Sequence, residues 1–416
     1  MAPVLTIADM KALHRRRTPK MFYDYADSGS YTEGTYRDNE AAFTPIRLRQ
    51  RVARNIDNRS VSAKILGVEA AMPVYLAPVG MTGMQHADGE IHAARAAEKF
   101  GVPFTLSTMS IASIEDVAAH TTKPFWFQLY VMRDRGFVED LLARAKAAGC
   151  GALVLTLDLQ ILGQRHKDLR NGLSAPPKMT PQVIADLVRH PSWCMKMLGT
   201  KRRTFGNIVG HAKGVDDMSS LVSWTAEQFD QTLDWSSVEW IKSRWDGPLI
   251  LKGIGDVEDA VIAAATGADA ITVSNHGGRQ LDGAAASIDM LPAIADKVGD
   301  KIEIHMDGGI RSGQDVLKAM ALGAHATSIG RAYIHGLGAM GEAGVTRALE
   351  IMRKELDVTM ALCGETRITD VGRHNLWGAR DAEPFAAQNA DPSKSEPNAQ
   401  EKAPAAAEPA LQAVSA

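Results

Sequence analysis

A chain of 416 residues has room for two average domains or one large α/β barrel with additions. Its 46 Lys and Arg nearly balance 49 Asp and Glu, so net charge gives no reason to expect a nucleic-acid partner. Cys150, Cys194 and Cys363 lie far apart, with neither disulfide-framework nor zinc spacing, so a reducing compartment and no bound metal are expected.

Residues 1–70 read as a helical prelude without a secretory apolar core, and no run of about 18 apolar residues follows that could span a bilayer. A cytoplasmic protein is expected, or one peripheral to a membrane face. From Pro73 the pattern alternates. Apolar strand-like runs fall at Val74–Ala77, Phe104–Ser107, Phe125–Leu129 and Leu153–Leu157, then at Leu249–Lys252, Ala270–Ser274, Ile302–Asp307 and Ala326–Ile329. Helical runs separate them at Glu90–Phe100, Ser113–Ala119, Phe137–Ala148, Val257–Ala265, Gln314–Ala321 and Val345–Leu356. Eight βα repeats with continuous apolar strands predict a closed (β/α)8 TIM barrel spanning 1–380, interrupted after the fourth strand by an insertion at 159–224. Residues 381–416 are rich in Ala, Pro, Glu and Gln, a composition that predicts a disordered tail.

In such barrels the chemistry gathers at the C-terminal strand ends. Asp307-Gly308-Gly309-Ile310-Arg311 and Gly330-Arg331, after strands seven and eight, offer backbone N–H groups and cations to a phosphate. The segment Gly336-Leu337-Gly338-Ala339-Met340-Gly341 matches GxGxxG but starts beyond its strand and lacks the acidic partner, so NAD binding is rejected. In Ser274-Asn275-His276-Gly277-Gly278-Arg279-Gln280, a strand-end histidine stands three residues before an arginine, a base beside a carboxylate clamp. Asp158 can pair with that imidazole, and Arg165 adds a second cation. Lys252 fits either a counter-charge or a Schiff-base lysine; Tyr25 and Tyr130 are hydroxyl donors or core aromatics.

These motifs, with PKMFYDYADSG, QLYV, LKGI and DGGIRSGQDVLKA in order, resemble the FMN-dependent 2-hydroxy acid dehydrogenases and oxidases from about Thr6 to Gly372. The resemblance implies oxidation of an L-2-hydroxy acid, with L-lactate favoured. It implies FMN held by backbone at Ala77, Pro78 and Val79 and by side chains at Ser107, Gln128, Thr156, Lys252 and Ser274. Asp307, Gly309, Arg311, Gly330 and Arg331 would hold its phosphate. Tyr25, Arg165 and Arg279 would bind the substrate carboxylate, Tyr130 would lie near the reacting oxygen, and His276 would be the base with Asp158 its partner. The family pattern departs at Met109, where glycolate-oxidase-like members carry tryptophan, and at Leu159-Gln160.

Residues 176–213 carry seven Lys or Arg and one acid, Asp186, interleaved with apolar and aromatic residues. A helix starting at Thr180-Pro181, with Val183, Ile184, Leu187 and Val188 on one face, followed by Lys201-Arg202-Arg203, fits either attachment to anionic lipid or a solvated lid. The dehydrogenase branch of the family implies a quinone or cytochrome acceptor at the cytoplasmic face of the inner membrane, and a homotetramer. A soluble oxidase releasing hydrogen peroxide, a mandelate-type dehydrogenase, a flavin-free aldolase and a non-catalytic flavin- or phosphate-binding barrel are the alternatives.

Overall fold

Eight parallel strands form one sheet: Val74–Leu76, Thr105–Ser107, Trp126–Tyr130, Ala152–Thr156, Leu249–Ile254, Ala270–Val273, Glu303–Met306 and Ala326–Ile329. This is a computed structural model, describing residues 3–173, 178–212, 214–215 and 228–377. Neighbouring strands pair in chain order, and the eighth returns to the first over Thr327–Val74, Ser328–Tyr75 and Ile329–Leu76. A single bridge, Leu76 to Phe104, joins the first strand to the second and closes the (β/α)8 barrel. Each expected strand is present with its ends shifted by at most one residue, except the fifth, which runs on by two to Ile254.

Period-two alternation sorts the strand side chains into two groups. Tyr75, Trp126, Val154, Ile250, Ala270 and Ala326 pack together as one inner cluster. The intervening Leu76, Phe127, Leu155, Leu251, Ile271 and Ile304 join the outer core against the helices. A small antiparallel hairpin, Ala63–Ile65 with Val68–Ala70, sends Ile65 and Ala70 into the inner cluster. The Glu303 carboxylate holds that hairpin by accepting from Leu66 N–H at 3.1 Å.

The prelude comprises helices Ile7–Arg17, Lys20–Ala26 and Gly34–Ala41. Thr6 caps the first in a capping box with Asp9, and Ile7 and Met10 are buried. GxGxxG lies inside and at the end of helix Arg331–Met340. A Cβ on Gly336 would stand 2.3 Å from the Gly344 carbonyl oxygen, and one on Gly338 would stand 2.0 Å from the His14 ring. These glycines serve close helix packing.

Of the insertion, the described part holds helices Pro181–Arg189 and Pro191–Gly199. Thr180 caps the first, accepting from Val183 N–H. Its four apolar residues lie on one side of the helix, but only one edge of that stripe meets the protein: Val183 and Leu187 are half-buried, while Ile184 and Val188 are exposed. Nor is the basic cluster free, because Arg202 pairs with Asp88 at 3.0 Å and Asp116 at 2.8 Å. Residues 174–177, 213, 216–227 and the expected tail at 381–416 lie outside the described residues.

Candidate active site

A cavity of about 730 Å³ opens at the C-terminal mouth of the barrel, a size that suits a cofactor with a small substrate. Ala77, Pro78, Val79, Tyr130, Lys252, His276, Asp307, Gly309, Arg311, Gly330 and Arg331 line it, and so do Tyr25, Arg165 and Arg279 from loops and the prelude. Asp158, Ser107, Gln128, Thr156 and Ser274 stand immediately behind that wall, each buried or half-buried. Inward alternation explains the convergence: Gln128, Thr156 and Lys252 each follow two residues after an inner-cluster residue, one layer nearer the mouth.

His276 lies at φ +58°, a left-handed conformation that is uncommon for a non-glycine residue. Its N–H donates to Ser274 Oγ at 3.0 Å, and its Nδ1 meets Asp158 Oδ1 at 2.8 Å. A carboxylate accepts only, so Nδ1 carries the proton and Nε2 is left as the acceptor. Burial raises the Asp158 carboxyl, but the charge and hydrogen bond of His276, with Lys252 behind, outweigh it and hold the group below its ordinary value. Room for this carboxylate comes from Gly253 at φ +102°, where a Cβ would lie 2.6 Å from Asp158 Cγ. Gln280 staples the two loops by donating from Nε2 to the Asp158 and Ile161 carbonyls, both at 2.8 Å.

Two cations face this base. Arg279 Nη1 donates to the Tyr25 carbonyl at 2.6 Å, and its guanidinium lies 4.8 Å from the centre of the Tyr25 ring. Arg165 sits 5.8 Å from the same ring and 3.6 Å from Asp168. Burial, and then the neighbouring Arg165, lower the Arg279 guanidinium. Asp168 also lines the cavity; burial raises its carboxyl, and its Oδ1 is buried without a hydrogen-bond partner among the described residues. Burial pushes the Tyr130 hydroxyl up, reinforced by Asp158.

Across the mouth, Lys252 Nζ donates to Ser274 Oγ and pairs with Asp307 Oδ2, both at 3.0 Å, while Ser274 Oγ donates to Asp307 Oδ1 at 2.6 Å. Burial lowers the lysine, but Asp307 and Asp158 outweigh it and the net is upward. This keeps an ammonium at the strand end and argues against a neutral Schiff-base nucleophile. The resemblance groups Asp307 with the phosphate ligands, but its carboxylate turns to Lys252 and Ser274, so only its backbone suits an anion. Arg331 donates to the carbonyls of Ala26, Gly277 and Ser28 at 3.0, 2.9 and 2.6 Å. Burial, then Arg279 and Arg311, lower it to about 10. Arg311 shares its charge with Glu40 at 2.8 Å. Gly309 has its own reason to be glycine: a Cβ would stand 1.8 Å from the Asn39 carbonyl oxygen, beside the prelude.

The donor set fits FMN. Gln128 Nε2 and Thr156 Oγ1 are buried without hydrogen-bond partners among the described residues, as polar groups awaiting a heteroaromatic edge would be. Among the described residues Arg279 and Arg331 form no direct ion pair with a carboxylate, and helix Arg331–Met340 presents its N-terminus to the cavity for a phosphate.

Four residues of the site are given no role by the sequence alone. Gly253 and Gln280 lie inside the quoted motifs and Asp168 follows Arg165 by three, and that proximity in the chain is the signal available. Trp193, from the insertion, walls the cavity with its indole donating to the Met84 carbonyl at 3.0 Å and stacking on Phe22 at 5.1 Å.

A family described as FMN-dependent dehydrogenase matches residues 14–378. An L-lactate dehydrogenase of Caulobacter vibrioides is 46% identical over 373 residues, covering 88% of this chain and 96% of that protein. One from Actinobacillus pleuropneumoniae is 46% identical over 372 residues, covering 88% and 97%. Among solved structures, (S)-mandelate dehydrogenase, described as a monotopic membrane protein, superposes with TM-score 0.87 at 34% identity, covering 90% of this chain and all of that one. Mandelate oxidase gives TM-score 0.76 at 36% identity, covering 90% and 98%.

Proposed function

Since the chain belongs to the FMN-dependent dehydrogenase family, we propose that it oxidises L-lactate to pyruvate and delivers the electrons to a quinone or cytochrome of a respiratory chain. It is an FMN-dependent L-2-hydroxy acid dehydrogenase. The observation that carries the substrate class is the His276–Asp158 pair facing Arg165 and Arg279.

Arg279 and Arg165 bind the substrate carboxylate, with the Tyr25 hydroxyl adding a hydrogen bond, and so fix which hydrogen faces the cofactor. Tyr130, whose proton burial retains, donates near the reacting oxygen. His276 Nε2 takes a proton from the substrate, either at the hydroxyl or at the α-carbon, and Asp158 stabilises the imidazolium that forms. FMN, when bound, accepts the two electrons of the oxidation. Ala77, Pro78, Val79, Ser107, Gln128, Thr156 and Ser274 would hold its ring and ribityl chain. Gly309, Gly330, Arg311 and Arg331 would hold its phosphate, with Lys252 a fixed positive charge at the ring edge. Anaerobic bleaching of the flavin absorbance by L-lactate, and not by D-lactate, tests this. A yellow protein that L-lactate leaves unbleached refutes the substrate; one that neither retains nor takes up FMN refutes the reading.

We further propose peripheral attachment to the cytoplasmic face of the inner membrane. Support comes from Met179, Ile184, Val188, Met195 and Leu198, all exposed on the insertion, and from the membrane description of the mandelate dehydrogenase. Among the described residues no helix is long and apolar enough to cross a membrane. Replacing Ile184, Val188 and Leu198 with Asp should abolish sedimentation with anionic vesicles and leave bleaching intact; unchanged sedimentation refutes attachment. A homotetramer is proposed by analogy alone, and light scattering checks it. A second reading has an observation in its favour: Met109, Leu162 and Phe229 line the cavity, Phe229 lying 5.8 Å from the Tyr130 ring, an apolar wall that suits an aromatic side chain such as that of mandelate. Faster bleaching by (S)-mandelate than by L-lactate would select it.

A further inference from the structure

Asp27 has no part in the roles assigned so far, yet three helices converge on it. It caps helix Lys20–Ala26 and is 8% exposed. Its carboxylate accepts from the Tyr36 hydroxyl at 2.7 Å and the Tyr23 hydroxyl at 2.9 Å, and pairs with Lys11 Nζ at 3.0 Å. Lys11, Tyr23 and Tyr36 come from the first, second and third prelude helices in turn. His335, in the helix that starts at Arg331, brings Nε2 to 3.9 Å from the same carboxylate. Burial raises the Asp27 carboxyl, but His335, Lys11 and Tyr36 outweigh it and hold it well below the usual range.

The turn carrying Asp27 points its carbonyls at the two most buried arginines of the cavity. Tyr25 O and Ser28 O accept from Arg279 Nη1 at 2.6 and 3.2 Å. Ala26 O and Ser28 O accept from Arg331 Nε and Nη2 at 3.0 and 2.6 Å. Tyr36 closes a second link, because the Arg331 guanidinium lies 4.5 Å from the centre of its ring while its hydroxyl binds Asp27. The two guanidiniums repel each other across this turn, so their separation and aim depend on where the carbonyls are held.

We infer that Asp27 is a positioning residue for both anion sites: it pins the Tyr25–Ser28 turn to the prelude, and the turn aims Arg279 at the substrate carboxylate and Arg331 at the cofactor phosphate. The inference rests on the proposed function and extends it by tying FMN retention to substrate affinity through one side chain. Loss of the anchor therefore weakens both bindings together and spares the proton transfer at His276, whose partner Asp158 holds it by a separate hydrogen bond at 2.8 Å.

The test uses holoenzyme of Asp27→Asn, with FMN dissociation followed by flavin fluorescence on dilution, and KM and limiting rate from anaerobic bleaching by L-lactate. FMN Kd and KM should each rise about tenfold while the limiting rate stays within about threefold. A folded Asp27→Asn with Kd and KM both within about twofold of wild type, or with only its limiting rate reduced, overturns the inference. Lys11→Met removes one half-exposed donor and keeps the question decidable should Asp27→Asn fail to fold: Kd and KM should rise together by about threefold, and unchanged values overturn it. Wild-type protein that neither retains FMN nor is bleached fails the functional reading and this inference with it. Wild-type protein that does both, matched by its Asp27 variant, fails only the inference.

Discussion

Replacing Asp158 with Asn removes one charge from the site and leaves its scaffold in place. Gln280 bonds the Asp158 backbone carbonyl, not its carboxylate, so the loop is still stapled. An Asn oxygen can still accept from His276 Nδ1, which preserves the tautomer. What disappears is the carboxylate whose Oδ1 lies 2.8 Å from the imidazole, and whose Oδ2 is buried without a hydrogen-bond partner among the described residues. An opposite charge at such range stabilises the protonated partner by about 1–3 pKa units, or roughly 1.4–4 kcal/mol. If imidazolium formation is complete in the rate-limiting step, reduction slows by roughly 10- to 10³-fold. Stopped-flow bleaching by L-lactate in the absence of oxygen measures this directly, and the amplitude confirms that flavin is present. A fully flavinated Asp158→Asn enzyme reduced within about threefold of the wild-type rate would refute the charge-stabilisation reasoning.

Three further perturbations test the structure from other sides. Gly253→Ala keeps every charge but drives a Cβ toward Asp158 Cγ from a backbone at φ +102°, so bleaching should slow to a similar degree; wild-type rates would show that the crowding is relieved elsewhere. Gly338→Ala, aimed into the His14 ring, should cost about 1–3 kcal/mol of stability, read as a lower unfolding midpoint; an unchanged midpoint refutes the packing role of GxGxxG. The Glu115–Arg144 pair, bonded at 2.7 and 2.9 Å, brings the Glu115 carboxyl down to about 2, chiefly through the arginine's hydrogen bonds. Because the folded value lies below the ordinary 4.5, its contribution is complete above that pH and is lost as pH falls toward 2. Arg144→Gln should flatten the acid limb of stability in that window by under about 1 kcal/mol, the glutamate being more than half exposed. A urea-denaturation series showing the same acid limb in both proteins would contradict it.

The barrel was legible because a strand covered on both faces leaves an unbroken apolar run, and eight such runs alternate with helical periodicity. Helix Ser287–Val298 was not, since Pro292 lies inside it and a mid-run proline reads as a break. The site's charged pair could be named from strand-end position, but its geometry could not. Nothing in the local sequence near Leu251 shows that Gly253 exists to admit a carboxylate from the preceding strand. The same holds for Asp27, whose partners come from three helices separated by turns, and for Arg202, whose acids lie 114 and 86 residues earlier in the chain. The apolar stripe on Pro181–Arg189 is legible from helical spacing, but spacing alone does not say which half of a wide stripe meets the protein.

The single bridge between Leu76 and Phe104 makes one seam of the barrel thinner than its neighbours. Ladder hydrogen bonds set how readily a backbone opens to solvent. Amides flanking that seam should therefore exchange with deuterium sooner than those of Trp126–Tyr130 or Ala152–Thr156, which pair over five residues. The seam also ends at Ala77–Val79 on one side and Ser107 on the other, so a ligand gripped by both would lace the gap shut. Deuterium uptake at these two strands then becomes a gauge of cofactor loading that needs neither turnover nor colour.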